Sequence, residues 1–159
     1  MKPVKIFISY SHKDEILMEE LFEFLQPLIQ SGKINVWSDK GIVVGQVWDD
    51  EIKNAVKQSD MVLFLLSPSF LASSYINRIE IKQAFDLRNE RKLSLIPVML
   101  RPCDLDSHIV PGEKYKISDF QGLPKNMMPI IKWDTHEDAW IDVINGIKPL
   151  IEQILQMEK

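Results

Sequence analysis

Apolar positions along this chain alternate between short continuous runs and longer stretches spaced three or four apart. Val4–Ser9, Ile34–Trp37, Met61–Leu66 and Leu93–Leu100 are the short runs, rich in β-branched and aromatic residues, and they predict strands. Ile130–Trp133 predicts a fifth, shorter one. Leu17, Leu21, Phe24, Leu25 and Leu28 share a helix face, opened by Ser11 with Asp14 three residues on. Pro27 is expected to kink or end that helix. Trp48, Ile52, Ala55 and Val56 mark a second helix. Ile76, Glu80 and Ala84 recur four apart on a third, which is expected to run to about Arg91. Thr135 and Asp138 cap a last helix bearing Trp140, Val143, Ile144, Ile147, Ile151 and Ile154. Pro97, inside the fourth run, is expected at a bulge or strand end. Arg101–Pro129 lacks periodicity and predicts short helical turns rather than a plain loop.

Strands alternating with helices predict an α/β fold: a flavodoxin-like five-stranded parallel sheet of order 2-1-3-4-5 with helices on both faces. Such sheets bind ligands outside the carboxyl ends of their strands, near the switch in strand order. That edge receives Tyr10–Ser11 from the first strand, Ser38–Asp39 from the second and Ser67 from the third. Glu80 follows on the helix after the third strand, flanked by Ile79 and Ile81. A carboxylate among isoleucines carries a desolvation cost, and such costs concentrate where chemistry happens. The plainer reading is a half-exposed Glu at the edge of an amphipathic helix.

The 159 residues suit one domain, and 45% hydrophobic with 26% charged residues is a globular composition. No apolar run reaches the roughly 20 residues that span a bilayer. No signal peptide precedes the first strand, and the single Cys103 fits a reducing compartment, so a cytoplasmic location is expected. A net charge of −4 without a basic stripe argues against nucleic-acid binding. There is no GxGxxG after a strand and no P-loop. His12, His108 and His136 are scattered, so no metal is expected. No GxSxG elbow offers a nucleophilic serine. A response regulator would need an aspartate where Ser67 ends the third strand.

FISYSHKD, DKGIVVGQVWDDEIKNAVKQSD and VLFLLSPSFLASSYINRIEIKQA, in that order, together resemble a bacterial-type Toll/interleukin-1 receptor (TIR) domain. The resemblance covers nearly the whole chain, giving a domain over residues 1–156, expected to be part of a longer sensor–effector protein. Asp39–Val47 corresponds to the family's BB loop, and IPVMLRPCD is similar to its fourth-strand segment. The resemblance implies one of two activities. Some TIR domains are non-catalytic scaffolds that assemble with one another. Others are NAD+ glycohydrolases that cleave the nicotinamide–ribose bond, releasing ADP-ribose or a cyclised form. In the enzymatic class an early glutamate of the third helix is essential, and Glu80 stands there. The family pattern has a Trp–Cys pair four and three residues before it; this chain has Ile76 and Asn77, with Tyr75 one step earlier.

The resemblance makes Glu80 the catalytic residue, with no cofactor and with NAD+ as substrate. Glycoside hydrolysis ordinarily uses two carboxyl groups, one to protonate the leaving oxygen. Nicotinamide leaves NAD+ as a pyridinium becoming neutral, so one carboxylate suffices to stabilise the ribosyl cation. Tyr10 and Trp48 are expected to stack on substrate, and Ser11, Asp39 and Ser67 to offer polar contacts. Their plainer roles are packing (Tyr10, Trp48) and capping or turn formation (Ser11, Asp39, Ser67). Lys40 is read as a solvated loop charge in preference to a contact with pyrophosphate or with a neighbouring subunit. The resemblance further implies a homo-oligomer through the Asp39–Val47 loop, activity that rises with clustering, and a fused or separate nucleotide-sensing domain in antiphage defence. The alternatives are a TIR–TIR scaffold in which Glu80 is incidental and, more remotely, a nucleoside-transferring enzyme with a covalent glutamate.

Overall fold

A computed structural model of the chain describes residues 2–38, 46–91 and 93–157. Four parallel strands form its sheet: β1 (Val4–Ser9), β2 (Ile34–Trp37), β3 (Met61–Leu66) and β4 (Ser94–Met99), in the order β2-β1-β3-β4. β3 is buried at every position because both sheet faces are covered. On one face Ile6, Ile8, Met61, Leu63 and Leu65 pack under α1 (Glu15–Gln30) and α5 (His136–Met157). On the other, Phe7, Val62, Phe64 and Leu66 pack under α2 (Trp48–Gln58), α3 (Pro68–Ala72) and α4 (Lys82–Glu90). The alternation of side chains along a strand thus feeds two separate cores.

The fifth strand does not form. Ile130–Lys132 is a 3-10 turn, and the outer edge of β4 is met instead by one residue, Leu123, bridged to Val98. Leu123 donates to the Pro97 carbonyl and accepts from the Met99 amide, both at 2.8 Å. The ladder stops because Pro124 follows, and the next amide in register, that of Lys125, goes to Asp142 Oδ2 at 2.7 Å. Pro97 is therefore neither at a bulge nor at a strand end. Its carbonyl faces the outer edge, so its missing N–H does too, where no neighbouring strand needs a donor. Gly122 permits the close approach: a Cβ there would lie 2.9 Å from the Pro97 carbonyl oxygen.

Pro27 does not break α1, which continues to Gln30. The only bond it removes would have gone to the carbonyl of Glu23, on the solvent side of the helix. Ser11 caps a 3-10 turn, His12–Asp14, that precedes α1. The stretch Arg101–Pro129 contains the expected short turns, at Ile117–Asp119 and Lys125–Met127. Thr135 Oγ1 accepts from the Asp138 amide at 3.0 Å, as the spacing predicts for the start of α5.

Candidate functional site

The helix expected to carry Glu80 is three pieces. Ser67 starts α3, which ends at Ala72; the chain bends at Ser73; Ile76–Ile81 is a π-helix that runs on into α4. Asn77 holds the bend. Its amide donates to the carbonyls of Leu71 at 3.0 Å and Ser73 at 2.7 Å, which leaves Oδ1 to accept from His108 Nε2 at 2.6 Å. Burial pushes the His108 imidazole pKa down, so the ring is neutral, with its proton on Nε2. Ser73 Oγ accepts from the Ile76 amide at 3.2 Å, completing the corner.

The π-helix changes which residue stands beside Glu80. At about 100° per residue an α-helix would put a residue five positions away on the far side. The extra residue in a π turn brings it back alongside. Tyr75, five before Glu80, consequently shares a cavity wall with Glu80, Ile76 and Ser73. Tyr75, one step before the position of the family's Trp, thus borders the same cavity as Glu80, and π-turns recur at functional sites.

A second wall comes from the carboxyl end of β1, with Tyr10, Ser11, His12 and Lys13, and Trp48 at the start of α2 adds a third. Together these nine residues border about 350 Å³ of space open to solvent. Glu80 sits deep, at 7% exposure, and Tyr10 is buried, whereas Trp48 is 42% exposed and His12 and Lys13 are on the surface. The Tyr10 and His12 rings stack with centroids 5.8 Å apart and planes 14° from parallel. The Tyr75 phenol oxygen is buried without a hydrogen bond of normal geometry among the described residues, although Asp49 and Trp48 adjoin it. Burial raises its pKa well above the usual phenol value, and the Asp49 and then the Glu80 carboxylates add to that. The phenol is therefore neutral beside Glu80.

Tyr10, Ser11, Trp48 and Glu80, expected together from the sequence, do share this cavity. Ser67 does not line it. It is fully buried, accepts from the Phe70 amide at 3.0 Å as the cap of α3, and donates to Asp14 Oδ2. Asp14, 3% exposed, is also bound by Arg101 Nε at 2.8 Å, and Arg101 Nη2 reaches Ser69 Oγ at 3.1 Å. That network pins the ends of β1, β3 and β4 to one another, and pinning the β3 end is the work Ser67 performs. Asp39 and Lys40, with most of the Asp39–Val47 loop, lie outside the described residues. Sequence reasoning did not include Tyr75, Ser73, Ile76, His12 or Lys13 among the site residues. Tyr75 carried a signal as the aromatic one step before the family's Trp position, and His12 and Lys13 did as polar residues just past a strand at the binding edge. Among the described residues no three His, Cys, Asp or Glu side chains gather as a metal site, and no helix is long and apolar enough to cross a membrane. The Cys103 thiol is half-buried against Met99 Sδ at 3.6 Å.

A parallel sheet of this order, covered on both faces and with a cavity at its carboxyl edge, defines an open doubly wound α/β domain. Within that class the chain belongs to the TIR domain family, whose model matches residues 6–127. The uncharacterized protein y4lF of Sinorhizobium fredii (strain NBRC 101917 / NGR234) is 31% identical over 143 residues, 90% of this chain and 42% of the relative. The chain thus spans less than half the length of the curated relative it matches. Among solved structures, the TIR domain of the Toll-related receptor TRR-2 from Hydra magnipapillata is similar with a TM-score of 0.56 at 16% identity, over 90% of this chain and 97% of that one. The TIR domains of the activated Roq1 resistosome, which directly recognizes the pathogen effector XopQ, match with a TM-score of 0.52 at 20% identity, over 60% of this chain and 56% of that one. At such identities the likeness is one of fold.

Proposed function

We propose that this TIR domain is an NAD+ glycohydrolase in which Glu80 stabilises the ribosyl cation formed as nicotinamide leaves. The observation that carries the reading is a carboxylate at 7% exposure lining an aromatic cavity at the binding edge of the sheet. Cleavage breaks the C1′–N bond, and its electron pair returns to the pyridinium ring, which departs neutral. No proton donor to the leaving group is needed. The developing positive charge on the ribose is met by Glu80, which acts most strongly where water is excluded. Tyr10, Tyr75 and Trp48 offer apolar ring surface to a flat heterocycle. NAD+ is the substrate in this reading, and no separate cofactor takes part.

Assembly belongs to the same reading. Val47 and Trp48, at the junction of α2 with the 39–47 stretch, are 62% and 42% exposed, an apolar surface suited to a second copy of the chain. The activated resistosome among the similar structures supports a signalling role exercised in an assembly, and defence against phage is the setting we infer. The experiment is nicotinamide release from NAD+ by the full chain, dilute and clustered, with Glu80→Gln alongside. Release should fall at least about a hundredfold in the variant, the scale of losing one preorganised electrostatic contact. Unchanged release in Glu80→Gln would remove Glu80 from the mechanism, and no release in any state would leave the non-catalytic scaffold as the better account.

A further inference from the structure

Charge is distributed unevenly around the cavity. The buried carboxylate of Glu80 lies at its inner end, while His12 and Lys13, both on the surface, stand at its mouth. A ligand that complements this arrangement is cationic at its inner ring and anionic at its outer end. Size is compatible with such a ligand. A nicotinamide mononucleotide occupies roughly 300 Å³ and the dinucleotide about twice that at ordinary organic packing density. The nine lining residues border about 350 Å³ of a pocket that opens to solvent, room for the pyridinium nucleotide beside Glu80.

Resting on the proposed glycohydrolase reading, we propose that the unit this pocket recognises is a single pyridinium nucleotide. Its ring lies toward Glu80 and its 5′-phosphate toward His12 and Lys13, so the chain cleaves nicotinamide mononucleotide as well as NAD+. The adenylate half of NAD+ then extends away from Glu80, past His12 and Lys13, and contributes little to the bond-breaking step. In the mononucleotide reaction a water oxygen bonds to C1′ as the C1′–N bond breaks. The electron pair of that bond stays on the ring nitrogen, and the water proton leaves to solvent. The products are nicotinamide, ribose 5-phosphate and a proton, with no further reactant required.

The pocket geometry makes the phosphate matter. A charge-assisted phosphate contact is worth about tenfold or more in affinity, so the mononucleotide should be cleaved at least about tenfold better in kcat/KM than nicotinamide riboside, which lacks the phosphate. Nicotinamide release is measured from NAD+, the mononucleotide and the riboside in parallel, on the clustered full chain and on the His12→Ala/Lys13→Ala variant. The expected result is cleavage of the mononucleotide with a preference over the riboside that collapses in the double variant, mainly through KM. Cleavage of NAD+ without cleavage of the mononucleotide overturns the inference and leaves the glycohydrolase reading intact. Equal cleavage of mononucleotide and riboside, or a preference untouched by the double variant, overturns the phosphate assignment. Absence of nicotinamide release from all three substrates removes both readings together.

Discussion

At the scale of single residues, the site depends on what surrounds two buried carboxylates. Asp14 is compensated: Arg101 and the Ser67 hydroxyl bind it, and it ties three strand ends together. Removing Arg101 strands a buried charge, which ordinarily costs about 3–5 kcal/mol. A third of the Arg101 side chain is in water (33% exposed), so Arg101→Met should cost less, about 2 kcal/mol, read from urea unfolding. Glu80 has the neutral phenol of Tyr75 for a neighbour, and that neutrality can be tested. The folded state raises the phenol pKa above its unfolded value, near 10. Above about pH 10 the unfolded chain therefore releases a proton that the folded chain keeps, and stability falls as pH rises. Tyr75→Phe should shed part of that alkaline loss in a series of Tm measurements, while Tyr75→Ala should open the cavity wall and raise KM for NAD+.

At the scale of elements, the bend between α3 and the π-helix aims Tyr75 and Glu80 into the cavity, and its stability is linked to pH. The His108 pKa is lowered by burial, so below the usual value of about 6.5 the unfolded chain takes up a proton more readily than the folded one. Stability contributed there is complete above that value and is lost as pH falls through the folded pKa. Protonation would place a hydrogen on Nδ1, which is buried with no partner among the described residues. Amide protection at residues 73–77, relative to the intrinsic exchange rate at each pH, should fall between pH 7 and pH 5, and His108→Gln should flatten that dependence. The covered edge of β4 supplies a separate test. Gly122→Ala would push a methyl group against the Pro97 carbonyl, a backbone atom, and should cost about 1–3 kcal/mol. Gly146→Ala meets side-chain rather than backbone atoms, the Cδ2, Cδ1 and Cγ of Leu123 at 2.5, 2.9 and 3.2 Å, and gains roughly 1 kcal/mol of helix propensity, so its unfolding midpoint should fall less.

At the scale of the whole molecule, the exposed Trp48 at the cavity's border fits the proposed dependence of activity on neighbouring copies. Tethering raises effective concentration without new contacts. Nicotinamide release per chain should therefore climb with protein concentration or with fusion to a multivalent scaffold, and Trp48→Ala should blunt the climb. The sequence by itself determined the alternation of strands and helices, because strand and helix periods differ and each apolar run matched one of them. It determined that the first four strands run parallel, through their crossover helices, and it singled out Glu80, since an acid among isoleucines is visible in one dimension. It also brought Tyr10 and Ser11 to the edge where the cavity lies, because the βα junctions of a parallel sheet gather at one edge. Only the tertiary structure decided the remainder. A fifth strand was lost to a single Leu123 bridge because Pro124 and Asp142, 18 residues apart, together end the ladder. Ser67 went to a buried carboxylate from another segment rather than to the cavity. Tyr75 joined Glu80 because a π-turn, held by Asn77 and the distant His108, rotated it into place. Local periodicity fixes which face a residue belongs to within its own element; bends, edge closure and buried hydrogen bonds depend on partners that the sequence keeps far apart.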